Sequence, residues 1–186
     1  MKKLLYIASI AMLSFGACKN VATINTEEAG KVITNYLKGT PEYKTARFNF
    51  GELKFNNEKE YAELENYKKL ASEGYVTLTL LTAKKKFLSK DSSFVYAVKL
   101  TQKASDFVLK QDQDKATVKA VTYELTNEQP VDFSRVNDNN AKVTVSLKKI
   151  NTPFAPFQND AKENSDFITK TYRLKFDKET GWKVNK

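Results

Sequence analysis

Apolar and polar residues alternate along much of the chain, and this period of two is the feature that most constrains its fold. After residue 110 the alternation recurs, with apolar sets at Val121, Tyr123 and Leu125; Val143, Val145 and Leu147; Tyr172, Leu174 and Phe176; and Trp182 with Val184. Successive side chains of a strand point to opposite faces of a sheet, so each set predicts a strand with one buried face. Loops rich in Asn, Asp and Gln separate the sets, which predicts a meander of antiparallel strands over residues 111–186.

The first half of the chain also contains helical patterns. Asn25 followed by Glu28 resembles a capping box, and apolar residues then recur at helical spacing until Gly39. A second helix is predicted from about Asn57 to Ser72, and a short third helix from Thr101 to Leu109. Strands are predicted in the same half over residues 43–55, 75–82 and 94–100.

These patterns together predict an α+β fold with a helical half followed by a sheet. The helical half covers residues 26–110 and the antiparallel sheet covers residues 111–186, either as two units or as one continuous domain.

Two residue types limit the chemistry open to the chain, which has 186 residues, no histidine and one cysteine. Without histidine there is no Ser-His or Cys-His nucleophile, no histidine-ligated zinc and no imidazole base. A single cysteine excludes an intrachain disulfide. The sequence also lacks a glycine-rich phosphate loop, a DxDxDG-type calcium loop and a GxSxG elbow. No cofactor or metal is therefore predicted.

The first seventeen residues have the pattern of a cleaved secretory signal peptide. Lys2 and Lys3 precede an apolar run from Leu4 to Phe15, and small residues then lead to Cys18. A membrane-spanning helix needs about twenty apolar residues, so this shorter run predicts removal rather than a permanent transmembrane anchor.

The stretch Leu13-Ser14-Phe15-Gly16-Ala17-Cys18 resembles the lipobox of bacterial lipoproteins. The resemblance implies that the Cys18 thiol is acylated, that Cys18 becomes the new N-terminus, and that residues 18–25 form a lipidated tether. Two or three acyl chains would hold the protein on a membrane. We expect a lipid-anchored protein of the cell envelope, at the outer membrane and facing the periplasm. A soluble secreted protein and an uncleaved cytoplasmic protein are the alternatives.

A second resemblance lies in the first half of the chain. Its residues are Leu64, Tyr67, Leu70, Gly74, Tyr75 and Val76, followed by Val95, Tyr96, Leu100, Thr101, Ala104 and Phe107. This run resembles winged-helix domains, in which a helix leads into a two-stranded wing and a closing helix. It implies a winged-helix-like β-hairpin within residues 26–110. A cystatin-like or NTF2-like fold, one helix packed on a curved sheet, is the alternative.

The whole arrangement looks like small lipoproteins of Gram-negative bacteria that join a winged-helix-like half to an antiparallel sheet. That resemblance implies a location and a fold but no particular activity, because one fold can carry many functions.

Two loops are candidate contact surfaces. The basic loop after residue 82 contains four lysines: Lys84, Lys85, Lys86 and Lys90. The formal net charge of the chain is +9, which favours anionic partners outside the cytoplasm, such as lipid head groups and cell-wall polymers. The second loop holds Phe154 and Phe157 beside prolines. These two rings either insert into a partner or membrane surface, or tuck back to cover an end of the sheet.

The function predicted from these observations is a non-enzymatic, membrane-anchored binding module that faces the periplasm. Its expected partners are the membrane, through the N-terminal lipid, and anionic envelope components or another envelope protein, but not nucleic acid. An envelope hydrolase that uses carboxylates or a Ser-Lys pair is the alternative, and a DNA-binding winged-helix protein is the least favoured interpretation.

Overall fold

The computed structural model describes residues 23–85, 92–158 and 165–185, which contain two α-helices and ten strands. The helices are α1, Thr26–Gly39, and α2, Glu58–Ser72. The strands are β1, Glu42–Asn49; β2, Gly51–Phe55; β3, Val76–Lys85; β4, Ser92–Leu100; β5, Val108–Gln111; β6, Lys115–Leu125; β7, Asp132–Asn137; β8, Asn140–Asn151; β9, Phe167–Asp177; and β10, Gly181–Asn185. Two short 3₁₀ helices lie at Gln102–Phe107 and Ala155–Phe157. The predicted α+β class is confirmed.

The strands form two antiparallel sheets. The large sheet is curled and has the order β1-β6-β8-β9-β10, with β5 paired to β6 and β7 paired to β8. The small sheet has the order β2-β4-β3. Only Phe50 separates β1 from β2, and Gly51 adopts a φ of +89°, a left-handed conformation that glycine reaches at little cost. The chain therefore passes from one sheet to the other within a single residue.

Local capping fixes where both helices begin, as the sequence predicts. The Asn25 side chain accepts a hydrogen bond from the Glu28 amide at 2.8 Å, and the Glu28 carboxylate accepts one from the Asn25 amide at 3.1 Å. Asn57 caps α2 by accepting a hydrogen bond from the Glu60 amide at 3.0 Å. These bonds satisfy amides that lack a partner within the helix.

Two hydrophobic cores lie next to each other on the inner face of the large sheet. The first joins α2, the small sheet and the adjoining ends of β1 and β6, and its largest buried side chains include Phe48 and Tyr67. The second joins α1 to β8, β9 and β10, with Ile33 and Leu174 among its buried residues. Each element thus covers one part of the same curled surface.

A bulge in β6 allows one strand to serve both cores. Lys44 of β1 pairs with Val121, but the next residue, Thr45, pairs with Lys119, so Ala120 is an extra residue in β6. Ala120 and Val121 are both fully buried. An extra residue shifts the alternation by one position, so the apolar residues on both sides of the bulge face inward.

The predicted winged-helix half is not confirmed, and the division at residue 110 does not separate the two cores. Helix α2 does lead into the β3–β4 hairpin, and the short third helix is the 3₁₀ helix Gln102–Phe107. However, α1 packs on the second core rather than beside α2, and β1 pairs with β6 of the large sheet. The apolar face of α1 is buried against strands that come much later in the sequence.

We expect Gly30→Ala to destabilise the protein, although replacing glycine by alanine within a helix usually stabilises it by about 1 kcal/mol. Gly30 is buried in α1, and a Cβ atom there would clash with the backbone oxygen of Glu128 and touch Pro130. Displacing a packed backbone costs about 1–3 kcal/mol. The free energy of unfolding in urea measures the effect.

Gly39→Ala is the matched control, because nothing lies within 4 Å of a Cβ atom at the end of the same helix. This variant should be as stable as the wild type or more stable by about 0.4–1 kcal/mol. A stabilising effect at Gly30 as large as that at Gly39 would contradict the close contact between α1 and the loop after β6.

Candidate functional site

The structure describes few of the residues predicted to bind. Residues 1–22, including the predicted signal peptide and Cys18, lie outside the described residues, as do Lys86, Lys90 and the side chain of Lys85. Lys84 is exposed near the end of β3, opposite Ser93 of β4. The lipid attachment and most of the basic loop therefore stay predictions.

The two phenylalanines predicted as a contact surface lie in the first core. Phe154 is fully buried, and its ring centroid lies 5.1 Å from that of Phe48 in an edge-to-face arrangement. The Phe157 ring packs on Phe48 and is partly buried. The hydroxyl of Thr152 donates to the Ala120 backbone oxygen at 2.9 Å and accepts from the Phe154 amide at 3.1 Å, which holds the loop against the sheet. Of the two positions that the sequence left open for this loop, the burial of Phe154 fits the one in which the ring covers an end of the sheet.

The outer face of the large sheet carries a cluster of cations that the sequence analysis did not single out. We call it the basic face, and it consists of Lys142, Arg173, Lys175 and Lys183. Lys142 of β8 is directly opposite Arg173 of β9, and Lys175 of β9 is directly opposite Lys183 of β10. All four side chains are exposed. The pairing register therefore brings four cations from three neighbouring strands onto one surface.

Few carboxylates neutralise the basic face. Lys183 lies 3.5 Å from the Asp177 carboxylate. Within the part of the chain that the structure describes, Lys142, Arg173 and Lys175 form no ion pair or side-chain hydrogen bond. Like charges directly opposite each other on a sheet are destabilising, so this arrangement costs the free protein some stability.

A pocket of about 310 Å³ opens between the two opposed cations. Its lining residues are Val136, Asn137, Asn140, Ala141, Lys142, Arg173, Leu174 and Asn185. The lining therefore includes two cationic residues and three asparagines, and none of its residues is acidic.

The turns at this end of the sheet are held by their own side chains. In the β7–β8 turn, the Asn137 carboxamide oxygen accepts hydrogen bonds from the Asn139 amide at 3.0 Å and from the Asn140 side chain at 2.8 Å. In the β9–β10 turn, Asp177 accepts from the Thr180 and Glu179 amides and the Thr180 hydroxyl, which lowers the pKa of its carboxyl to about 2. These bonds fix the strand ends that carry the basic face.

A second, larger groove of about 540 Å³ lies where the two sheets separate. Its lining residues are Phe50, Lys99, Leu100, Thr101, Gln102, Ser105, Val108 and Gln111. Lys99 and Ser105 are the residue types of a Ser-Lys nucleophile pair. Neither side chain forms a hydrogen bond with another described residue, so the two are not arranged as an activated pair.

A polar cluster joins β1 to β9 on the inner side of the sheet. The Glu42 carboxylate accepts a hydrogen bond from the Tyr172 hydroxyl at 3.0 Å and lies 2.6 Å from the Lys170 ammonium. Burial and then the Glu42 hydrogen bond raise the pKa of Tyr172 well above its ordinary value. Because the cation and the carboxylate neutralise each other, this cluster acts as a cross-link between strands.

The comparisons with known proteins assign no function to the chain. No family model matches the chain, and no curated protein or solved structure is similar to it. Within residues 23–85, 92–158 and 165–185, neither α-helix has the length and hydrophobicity that crossing a membrane requires. The same residues contain no group of three or more acidic, histidine or cysteine side chains placed to hold a metal ion.

The cations of the basic face occupy polar positions of strands that the sequence predicted. The alternation that predicted buried faces at Val143 and Leu174 also places Lys142, Arg173 and Lys175 on the opposite face. Which strands are neighbours, and in what register, decides whether those cations meet. That information depends on long-range pairing and is not contained in any one stretch.

We expect Phe154→Ala to lower the free energy of unfolding by about 3–5 kcal/mol, because it removes a fully buried ring from the first core. The matched control is Phe167→Ala, whose side chain is 47% exposed on β9. That change should alter stability by about 0.5 kcal/mol or less. Unfolding in urea, followed by circular dichroism, measures both. Equal stability of the two variants would contradict the buried position of Phe154.

Proposed function

We propose that this protein is a lipid-anchored binding module of the cell envelope and that its basic face binds an anionic partner. The observation that carries the proposal is the opposition of Lys142 to Arg173 across two neighbouring strands, with no acidic residue among those lining the pocket between them. Repulsion between such cations is relieved when an anion binds, so the surface favours a negatively charged partner.

The strength of this attraction can be bounded. A lysine or arginine close to an anionic membrane surface contributes about 1 kcal/mol, so the four cations of the basic face supply roughly 4 kcal/mol at most. Such an interaction is weak alone and is screened by salt, with a Debye length of about 8 Å at physiological ionic strength. It suits a protein that is already held near its partner by another attachment.

The proposed lipid at Cys18 provides that attachment. The seven residues from Lys19 to Asn25 span roughly 25 Å at most when extended, which would keep the folded part near the membrane. Lipid head groups, lipopolysaccharide and cell-wall polymers are the anionic partners within that reach. The lysines of the predicted basic loop, Lys84 to Lys90, would add to the same attraction.

An envelope hydrolase is the competing proposal, and the groove between the sheets is the observation that favours it. Lys99 and Ser105 both line that groove. Nucleophilic catalysis requires a serine within hydrogen-bonding distance of its base, and such a contact is not formed here. Anion binding is preferred because the four cations of the basic face are already exposed to solvent.

Metabolic labelling with a fatty-acid analogue tests the anchor. Wild-type protein should incorporate the label and run as a processed band, whereas Cys18→Ala should not be labelled, because the thiol is the proposed acylation site. Label on both proteins, or on neither, would contradict lipidation at Cys18.

Vesicle sedimentation tests the basic face, with full-length protein in a Cys18→Ala background so that no acyl chain contributes. We compare phosphatidylcholine vesicles with and without phosphatidylglycerol, which isolates the electrostatic part of binding. Lys142→Gln, Arg173→Gln and Lys175→Gln in combination should reduce the preference for anionic vesicles by up to about 100-fold at low salt.

The control removes three exposed lysines from the helices instead: Lys38→Gln, Lys59→Gln and Lys69→Gln. It changes the net charge by the same amount but should retain most of the preference for anionic vesicles. Equal losses in the two triple variants would show that net charge alone attracts the protein, and the basic face would then have no special role.

A further inference from the structure

We propose that the pocket between Lys142 and Arg173 is a binding site for a phosphate group. The inference rests on the proposed function and narrows it from anionic partners in general to one chemical group at one position. Free phosphate and a phosphate carried by a lipid or polymer share the chemistry that this pocket would recognise.

The pocket lies on a row of polar residues that crosses four strands. Ser134 of β7 is directly opposite Lys142 of β8, Lys142 is opposite Arg173 of β9, and Arg173 is opposite Asn185 of β10. The ammonium, the guanidinium and the Asn185 carboxamide all supply N–H donors. Three adjacent strands therefore place hydrogen-bond donors in one row on the same face of the sheet.

One hydrogen-bond acceptor that lines the pocket is already engaged. The Asn137 carboxamide oxygen accepts two hydrogen bonds within its own turn, and one of them comes from the Asn140 side chain. Lys142 and Arg173, by contrast, have no ion-pair or side-chain hydrogen-bond partner among residues 23–85, 92–158 and 165–185. The pocket thus presents free donors to a ligand, which suits an oxyanion.

The pocket is also preformed. Ala141 and Leu174 are each 1% exposed, so the residues next to the two cations are anchored in the second core. Regular pairing between β8 and β9 fixes the separation of the two cations along the sheet. The backbone positions that carry the site therefore need no rearrangement when a ligand binds.

A phosphate monoester matches these features better than a carboxylate does. It carries close to two negative charges at neutral pH and three acceptor oxygens, so it can neutralise both cations and accept from Asn185 as well. A single carboxylate has one charge and would leave one of the opposed cations uncompensated. Arginine forms paired hydrogen bonds to phosphate, and lysine adds a point charge.

The repulsion between Lys142 and Arg173 gives the proposal a distinctive consequence. Replacing either cation by glutamine should leave the free protein as stable as the wild type or more stable at low salt, because it removes the opposed like charges. The same change should weaken phosphate binding by about tenfold or more, since it removes a charged hydrogen-bond donor. A residue needed only for folding would show the opposite effect on stability.

The test is the thermal unfolding of the full-length protein as inorganic phosphate replaces chloride at constant ionic strength. Phosphate should raise the midpoint of the wild type, because a ligand that binds only the folded state stabilises it. Lys142→Gln and Arg173→Gln should each lose most of this response. Lys148→Gln is the matched control, because it removes an exposed lysine from the same strand and face, and it should keep the wild-type response.

Two results would overturn the proposal. Equal stabilisation by phosphate, sulfate and chloride in the wild type would indicate general screening rather than a site. A response that survives both Lys142→Gln and Arg173→Gln would place phosphate elsewhere on the chain.

Vesicles containing phosphatidic acid identify the source of the phosphate and separate this inference from the proposed function. Binding to these vesicles that depends on Lys142 and Arg173 supports a lipid phosphate, whereas a response to inorganic phosphate without vesicle binding supports a soluble ligand and contradicts the proposed membrane partner. Vesicle binding with no response to inorganic phosphate would contradict the pocket but leave the basic face as an electrostatic surface.

Discussion

Strand β6 is the element that the two cores share. It pairs with β1 along most of its length, with β5 near its start and with β8 near its end, so both ends of the large sheet are joined through it. The extra residue at Ala120 keeps the buried side chains on one face along its whole length. Without that residue the alternation would turn Val121 and Tyr123 toward solvent, and α1 would have no apolar surface to cover. The packing of α1 thus depends on a bulge in a strand that is far from it in sequence.

The two helices and the small sheet pack on the inner face of the large sheet, which leaves its outer face free to carry charge. Helix α1 covers the strands β8 to β10, while α2 and the small sheet cover the other end. The Glu42, Lys170 and Tyr172 side chains join β1 to β9 between these covers. Both α-helices of the described residues pack on one side of the large sheet, and the polar positions of β8, β9 and β10 on its other side meet water. The basic face is therefore a consequence of a one-sided architecture.

The features that sequence patterns predicted well are those that depend on near neighbours. The cap at Asn25, the start of α2 near Asn57 and the buried faces of β6, β8 and β9 all follow from residues within one or two turns or one strand. The winged-helix half is not confirmed, because the order of helix, hairpin and short helix along the chain does not specify where α1 packs. The strands β5 and β7 were missed because they are short and lie at the sheet margins, where little apolar alternation is needed. The sequence left both a buried and an exposed position open for Phe154, since a loop sequence does not show which residues lie beneath it.

The candidate site was not predictable because it depends on which strands pair and in what register. The repulsion between its cations is also small compared with the stabilisation from the buried side chains of the same strands. Two unit charges about 5 Å apart in water repel by less than about 1 kcal/mol, whereas burying a valine or leucine side chain contributes about 1.5–3 kcal/mol. On the inner face of β8, Val143 and Val145 are buried, whereas Lys142 of the same strand is exposed on the outer face. On β9, Leu174 is buried and its neighbour Arg173 is exposed. Burial on one face of these strands therefore outweighs repulsion on the other. Because successive side chains point in opposite directions, stability is concentrated at one set of positions and charge at the other, so a cationic surface can form without compromising the core.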